Sequence, residues 1–195
     1  RVSIDVPFRA DGLHRILYKC PHCGVENQME GKGIHLTCHA CEKQWTMDEY
    51  GQLSANNAET EYAHIPDWYN WERALVRNEV LNGTYNFSDD VFVYSLPRTR
   101  KPVKLGNAKV RHSIDEGFVL EGNYNNSDYR IIRSPLAANS LHIEYDYCYV
   151  KPKDAFYINC EDDSYLCYPT KQNVVTKLGF ATEEIYLYNL EKAKK

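Results

Sequence analysis

Residues 18–46 read YKCPHCGVENQMEGKGIHLTCHACEKQWT, and within them stand two identical Cys-x-x-Cys pairs with 14 residues between them. A Cys-x-x-Cys turn gathers two thiolates on one side of a tight knuckle. The intervening stretch is long enough for a short hairpin that folds the second knuckle onto the first. Cys20, Cys23, Cys38 and Cys41 then form a closed tetrahedral four-thiolate set, the pattern of a zinc ribbon with one structural zinc per chain. Gly24 follows the first pair, where positive φ is often needed, and Gly31 and Gly33 flank Lys32 at the expected hairpin turn. "HRILY" reads loosely as a strand; "IHLTC" and "KQWTM" alternate as strands do. His22 and His39, inside the knuckles, are expected to be exposed and not ligands. A redox motif needs one pair and a helix start, and a closed thiolate set leaves no position for water or substrate. The metal is therefore expected to be structural, standing in for a core that so small a piece cannot build.

Working outward, the other three of seven cysteines, Cys148, Cys160 and Cys167, are scattered among strand-like residues. Pairs concentrated in 22 residues suit a reducing compartment and a metal better than a disulfide framework. The chain of 195 residues is 43% hydrophobic and 26% charged, a globular balance with room for one ample domain or two small ones. Its net charge of -4 argues against a general nucleic-acid binder, and Lys19, Lys32 and Lys43 are offset in the ribbon by Glu26, Glu30 and Glu42. No nucleic-acid partner is expected. There is no signal-peptide pattern, and no apolar run approaches the roughly 20 residues of a membrane span. The chain starts at Arg1 and not Met, so it is expected to be a piece of something longer.

"GQLSANNAET" (51–60) reads as a linker or loop. "HIPDWYNWERALVRNEVLNG" (64–83) reads as a helix, with Pro66 and Asp67 in its first turn, an apolar face of Trp68, Trp71, Leu75 and Leu81, and Gly83 as C-cap. From Tyr85 the period changes to two. "VFVYSLP", "KVRHS", "GFVLEG", "YRIIRS", "LHIEYDYCYV", "DAFYINC" and "SYLCYP" are strands separated by turn signals such as Asn125-Asn126, Pro152-Lys153-Asp154 and Asp162-Asp163. "NVVTKLGFATEEIYLYNLEKAKK" closes the chain as a helix with Val174, Leu178, Ala181, Ile185 and Tyr188 in a stripe. The fold class is α+β, mainly β. A zinc ribbon and linker (1–60) and a connecting helix (61–84) precede a β module with a C-terminal helix (85–195). The element order of that module is pleckstrin-homology-like, as a barrel, or alternatively that of a sandwich.

Four stretches, "RADGLHRILYKCPHCG", "MEGKGIHLTCHAC", "ETEYAHIPDWYNWER" and "VVTKLGFATEEIY", together resemble the C-terminal extension of a group of bacterial lysophospholipid (1-acylglycerol-3-phosphate) acyltransferases. The resemblance runs from about Phe8 to Tyr188. It implies an N-terminal membrane-associated acyltransferase domain as partner, in a parent protein at the cytoplasmic membrane face. That family's catalytic signature is His-x-x-x-x-Asp. The fifth residue after each of the seven histidines here is never aspartate, so no catalytic residue carries over, and the chain is expected to position or regulate the enzyme without turnover of its own. His112 with Asp115 and Glu116, and the cluster Glu161, Asp162 and Asp163, read as ordinary turn residues. "RTRKPVKLGNAKVR" (98–111) has six basic residues and no acidic one. Lys104, Lys109 and Arg111 in it are candidates for contact with anionic lipid at the membrane surface. The alternative is a stand-alone zinc-ribbon module for protein interaction.

Overall fold

The second Cys-x-x-Cys pair sits at a turn of a four-stranded antiparallel sheet, the first lies just before that sheet in a turn closed by the Lys19–Glu26 bridge, and the period-two region builds a second sheet of seven strands. The computed structural model describes residues 2–98, 101–147, 153–161 and 163–194; Arg100, Cys148, Pro152 and Asp162 lie outside the described residues. Two compact units divide the chain, Arg1–Leu75 and Val76–Lys195.

In the first unit β1 (Met29–Lys32), β2 (His35–Cys38), β3 (Gln44–Met47) and β4 (Leu53–Ala55) pair in sequence order, all antiparallel. Alternation is visible in each four-residue strand, so that Met29, Leu36, Cys38, Trp45 and Met47 point to one buried face. Two expectations change. "HRILY" contributes a 3₁₀ turn, Leu13–Arg15, and not a strand. The stretch 51–60 contains β4 and is not a plain linker: Leu53 is buried, its N–H donates to Ala63 O at 2.8 Å, and Ala55 N–H donates to Thr60 Oγ1 at 2.9 Å. A three-residue strand with one buried apolar side chain is too short to carry a period.

Gly33 takes positive φ in the β1–β2 turn, but Gly31 lies within β1 for another reason. The Ala10 carbonyl packs where its Cβ would be, while its N–H donates to His14 Nδ1 at 2.9 Å. The segment before the first knuckle thereby covers the free edge of β1. Gly31→Ala is expected to destabilise this unit by about 2 kcal/mol, because backbone cannot yield as a side chain does. Urea unfolding followed by tryptophan emission reports it, since all three tryptophans, Trp45, Trp68 and Trp71, lie in residues 1–75.

α1 (Ile65–Leu81) buries Trp68, Glu72, Val76 and Val80, while Leu81 is exposed. The stripe runs at four-residue spacing from Trp68, which turns Leu81 outward and Glu72 inward. Trp68 packs edge-on against Trp45 with ring centroids 5.0 Å apart. With Leu17, Leu36 and Leu53 they make a genuine apolar core, so the ribbon is not the coreless piece its length suggested.

In the second unit β5 (Asn86–Ser95), β6 (Val103–Ser113), β7 (Gly117–Tyr124), β8 (Ser127–Arg133), β9 (His142–Tyr147), β10 (Lys153–Asn159) and β11 (Ser164–Pro169) form one antiparallel sheet in the order β8-β7-β6-β5-β11-β10-β9. The unit is thus mainly β with a single hydrogen-bonded sheet. Among the described residues no ladder joins β8 to β9. Asn125 and Asn126 both take positive φ, as a two-residue hairpin turn between β7 and β8 requires.

One sheet face, carrying Val91, Val93, Val110, Phe118, Leu120, Phe156, Ile158 and Cys167, packs on Val174, Val175 and Leu178 at the start of the C-terminal helix α2 (Val175–Ala193). Tyr188 is only half-buried, and Phe180, Thr182 and Glu184 are buried beyond the expected stripe. The end of α1 belongs to this unit and meets α2 through Lys177 Nζ and Glu79 Oε2, 3.0 Å apart. The opposite sheet face carries a smaller apolar group, Phe92, Tyr94, Ala155, Tyr157, Leu166 and Tyr168.

Candidate metal centre

Backbone hydrogen bonds shape both knuckles. Cys20 N–H donates to Val25 O at 3.0 Å, and Gly24 N–H to Cys20 O at 2.9 Å. In the second knuckle Cys38 N–H donates to Lys43 O at 2.9 Å. Gly24 has φ 75° and its counterpart after Cys41, Glu42, has φ 60°, so the second turn adopts the left-handed backbone without glycine.

The result gathers Cys20, Cys23, Cys38 and Cys41, the four residues expected, with all four Sγ atoms within 4.8 Å of one another. Cys20 Sγ lies 3.8 Å from Cys41 Sγ, and Cys23 Sγ 3.7 Å from Cys38 Sγ. A tetrahedron of sulfurs about 2.3 Å from a central ion has edges of about 3.8 Å, so the spacing fits a metal ion held by four cysteines. None of the four is in a disulfide. Burial pushes the Cys20 and Cys41 thiols up. At Cys23 burial works the same way, but the Val25 N–H and the neighbouring cysteines outweigh it and leave that thiol lowered. A cation supplies what such a set needs, a charge that displaces the remaining protons.

His22 and His39 stand outside the set. Their side chains are 55% and 56% exposed and lie 3.3 Å from Glu61 Oε1 and 3.1 Å from Glu30 Oε2, respectively.

Two residues of α1 hold the first knuckle in place. Glu72 Oε1 accepts the N–H of Lys19 at 2.8 Å, and Trp68 Nε1 donates to the Lys19 carbonyl at 3.0 Å. Both peptide groups of Lys19, the second of which joins it to Cys20, are thereby fixed, as outer partners fix ligand geometry in metal sites. Trp68 stands out in the sequence as a docking residue. Glu72 does not, because a glutamate at a helix position reads as surface. It is fully buried, and burial pushes its carboxyl up to about 9 against the opposing pull of the Lys19 N–H. Oε2 has no hydrogen-bond partner, as suits a neutral carboxyl. A folded value above the ordinary 4.5 means that the folded state holds the extra proton. Stability is then full below pH 4.5 and is lost as pH rises through about 9, at about 1.4 kcal/mol per pH unit. Glu72→Gln keeps the acceptor and is expected to flatten that decline between pH 6 and 8, read by tryptophan-monitored urea unfolding.

The other candidates fall in the second unit. Lys104 and Lys109 are exposed on β6, and Arg111 two residues on donates to Glu121 Oε2 at 2.8 Å. His112 is not a turn residue: it is buried in β6, its Nδ1 3.0 Å from Tyr85 Oη. Asp115 and Glu116 are exposed. Asp163 accepts from Ser95 Oγ at 2.6 Å and caps the β10–β11 turn, Glu161 is exposed, and Asp162 lies outside the described residues. These groups form no cluster with catalytic geometry among the described residues.

No model of a known protein family matches the chain, and no curated protein matches it.

Proposed function

We propose that the chain is a non-catalytic accessory region of a phospholipid acyltransferase. In this reading a ribbon built on one structural zinc adjoins a pleckstrin-homology-like β unit, and the two position or regulate the enzyme at the membrane. The observation that carries the scaffold half is the closed four-cysteine set at tetrahedral spacing. With four cysteines closing the tetrahedron, zinc there supplies folding energy and not a reactive water. The succession of seven antiparallel strands and one packed C-terminal helix supports the pleckstrin-homology-like reading of the second unit. The acyltransferase link rests on the four sequence stretches quoted above. No helix among the described residues is long and apolar enough to cross a membrane, so membrane contact in this reading is made by surface cations and by the parent protein.

Two measurements test the proposal. Incubation with an acyl thioester and a lysophospholipid is expected to give no turnover; turnover lost on mutating a residue of this chain would overturn the non-catalytic assignment. Co-sedimentation is expected with anionic vesicles and not with neutral ones. It should weaken with salt, because exposed charges are screened over about 8 Å at physiological ionic strength. Replacing Lys104, Lys109 and Arg111 with alanine removes about 1 kcal/mol of attraction per cation. Equal binding to both vesicle types, or no change in the triple variant, would refute the membrane role.

A further inference from the structure

The outer face of the seven-stranded sheet, away from α2, holds a cavity of about 880 Å³, within the roughly 300–1,000 Å³ of small-molecule sites. Its floor is aromatic. Phe92 and Tyr94 of β5 lie with ring centroids 5.4 Å apart, and Tyr94 meets Tyr168 of β11 edge-on at 6.5 Å. Its rim is cationic: Lys104 and Lys109 come from β6 and Lys153 from β10. With Glu121 and Gly122 of β7, five neighbouring strands, β7-β6-β5-β11-β10, contribute, which makes the cavity about 19 Å wide at the usual spacing between strands. Register shifts at Val93/Tyr94 and at Lys153/Ala155 lie at its two sides. Such bulges bend a strand and re-aim side chains, which is how the outer face of a sheet becomes concave.

The charges at this rim are unevenly satisfied. Glu121 is already engaged by Arg111 at 2.8 Å and by Arg130 at 3.0 Å. Lys109 and Lys153 have no ion pair among the described residues. Lys104 Nζ reaches back over the Phe92 ring, 5.1 Å from its centroid. Asp90 is the remaining carboxylate of the lining. Three lysines stand at this rim against Asp90 and a Glu121 that two arginines already neutralise, and Lys104 lies over the aromatic floor itself, so the cavity matches a ligand with an extended apolar body and an anionic end.

We propose that this cavity binds a single-chain phosphate amphiphile, its chain along Phe92, Tyr94 and Tyr168 and its phosphate at the rim that carries Lys104, Lys109 and Lys153. The proposal rests on the reading of Lys104 and Lys109 as anion contacts given above. It replaces Arg111, whose guanidinium is committed to Glu121, with Lys153, which stands 44 residues from Lys109 in sequence.

The test is calorimetric titration with dodecyl phosphate below its micellar concentration, alongside dodecyl maltoside, which has the same chain without charge, and inorganic phosphate, which is the head without a chain. Dodecyl phosphate is expected to bind at least tenfold more tightly than either. Lys104→Gln and Lys153→Gln, both at exposed positions that the fold does not need, should each weaken it about fivefold. Phe92→Leu should weaken it while leaving the amide spectrum of the sheet intact. Equal affinity for dodecyl maltoside, or undiminished affinity in both lysine variants, would overturn the proposal. So would a dimer of the free protein that Phe92→Leu disperses, because the face would then belong to a second copy. Dodecyl phosphate binding without vesicle co-sedimentation would sustain the cavity and refute the membrane role; co-sedimentation without dodecyl phosphate binding would do the reverse.

Discussion

With zinc in the four-cysteine set as proposed, removal of the metal is expected to unfold residues 2–75 while the seven-stranded sheet stays intact. Structural zinc in small cysteine sites supplies about 10–16 kcal/mol at neutral pH, against about 5–15 kcal/mol for the whole stability of an ordinary domain. The ribbon's apolar core does not make up for such a loss. Cys20 and Cys38 are themselves part of it, both fully buried beside Leu36 and Trp45, so without the ion two close-set buried thiols remain in the packing, beside a partly buried Cys41 and an exposed Cys23. Chelation of the reduced protein, or Cys38→Ser, should shift the emission of Trp45 and Trp68 to the red as both become exposed. Amide protection in β5–β8 should persist, since those strands have their own core. Zinc content near one per chain in protein purified without added metal is the companion measurement. Unchanged emission after complete chelation, or zinc far below one per chain, would refute a zinc-built scaffold.

Acid is expected to act on the other unit, through His112. This imidazole is buried, stacked on the Phe118 ring with centroids 3.8 Å apart and bonded to Tyr85 Oη. Burial pushes its pKa down from the ordinary 6.5 to about 3. The folded state therefore keeps His112 neutral where the unfolded chain takes a proton. The stability this represents is complete above pH 6.5 and is lost as pH falls from there toward 3. Between pH 6.5 and 4.5 the loss is about 3 kcal/mol, at about 1.4 kcal/mol per pH unit. Hydrogen exchange at the amides of β6 and β7 should show it, and His112→Phe, which preserves the stack on Phe118, should abolish most of the slope. A wild-type slope retained in that variant would assign the acid sensitivity to the unit's carboxylates instead. The two units thus respond in opposite senses above pH 4.5: the first is weakened by base through Glu72, the second by acid through His112.

How legible each feature was follows from the distance over which its cause acts. Four cysteines at knuckle spacing point by themselves to a set that could hold a metal, because such geometry is written in local spacing. The seven strands, the Asn125-Asn126 turn and the C-terminal helix are likewise local patterns, of period and of turn chemistry, and they reappear in the structure. What failed was what depends on packing against distant chain. The strand Leu53–Ala55 exists because β3 offers an edge. Gly31 is required because the Ala10 carbonyl passes over it, and not because the hairpin turns there.

Sequence alone therefore determined the cysteine set, the mainly β class and the order of elements. Only tertiary structure decided which charged groups are buried, which lysines share a rim and where a cavity opens. Glu72 and His112 look like surface residues until register turns them inward. Lys153 joins Lys104 and Lys109 only because β10 and β6 flank the β11-β5 pair in one sheet. Spacing and period are properties of a few consecutive residues, whereas burial and charge pairing are set by strands that meet across the fold.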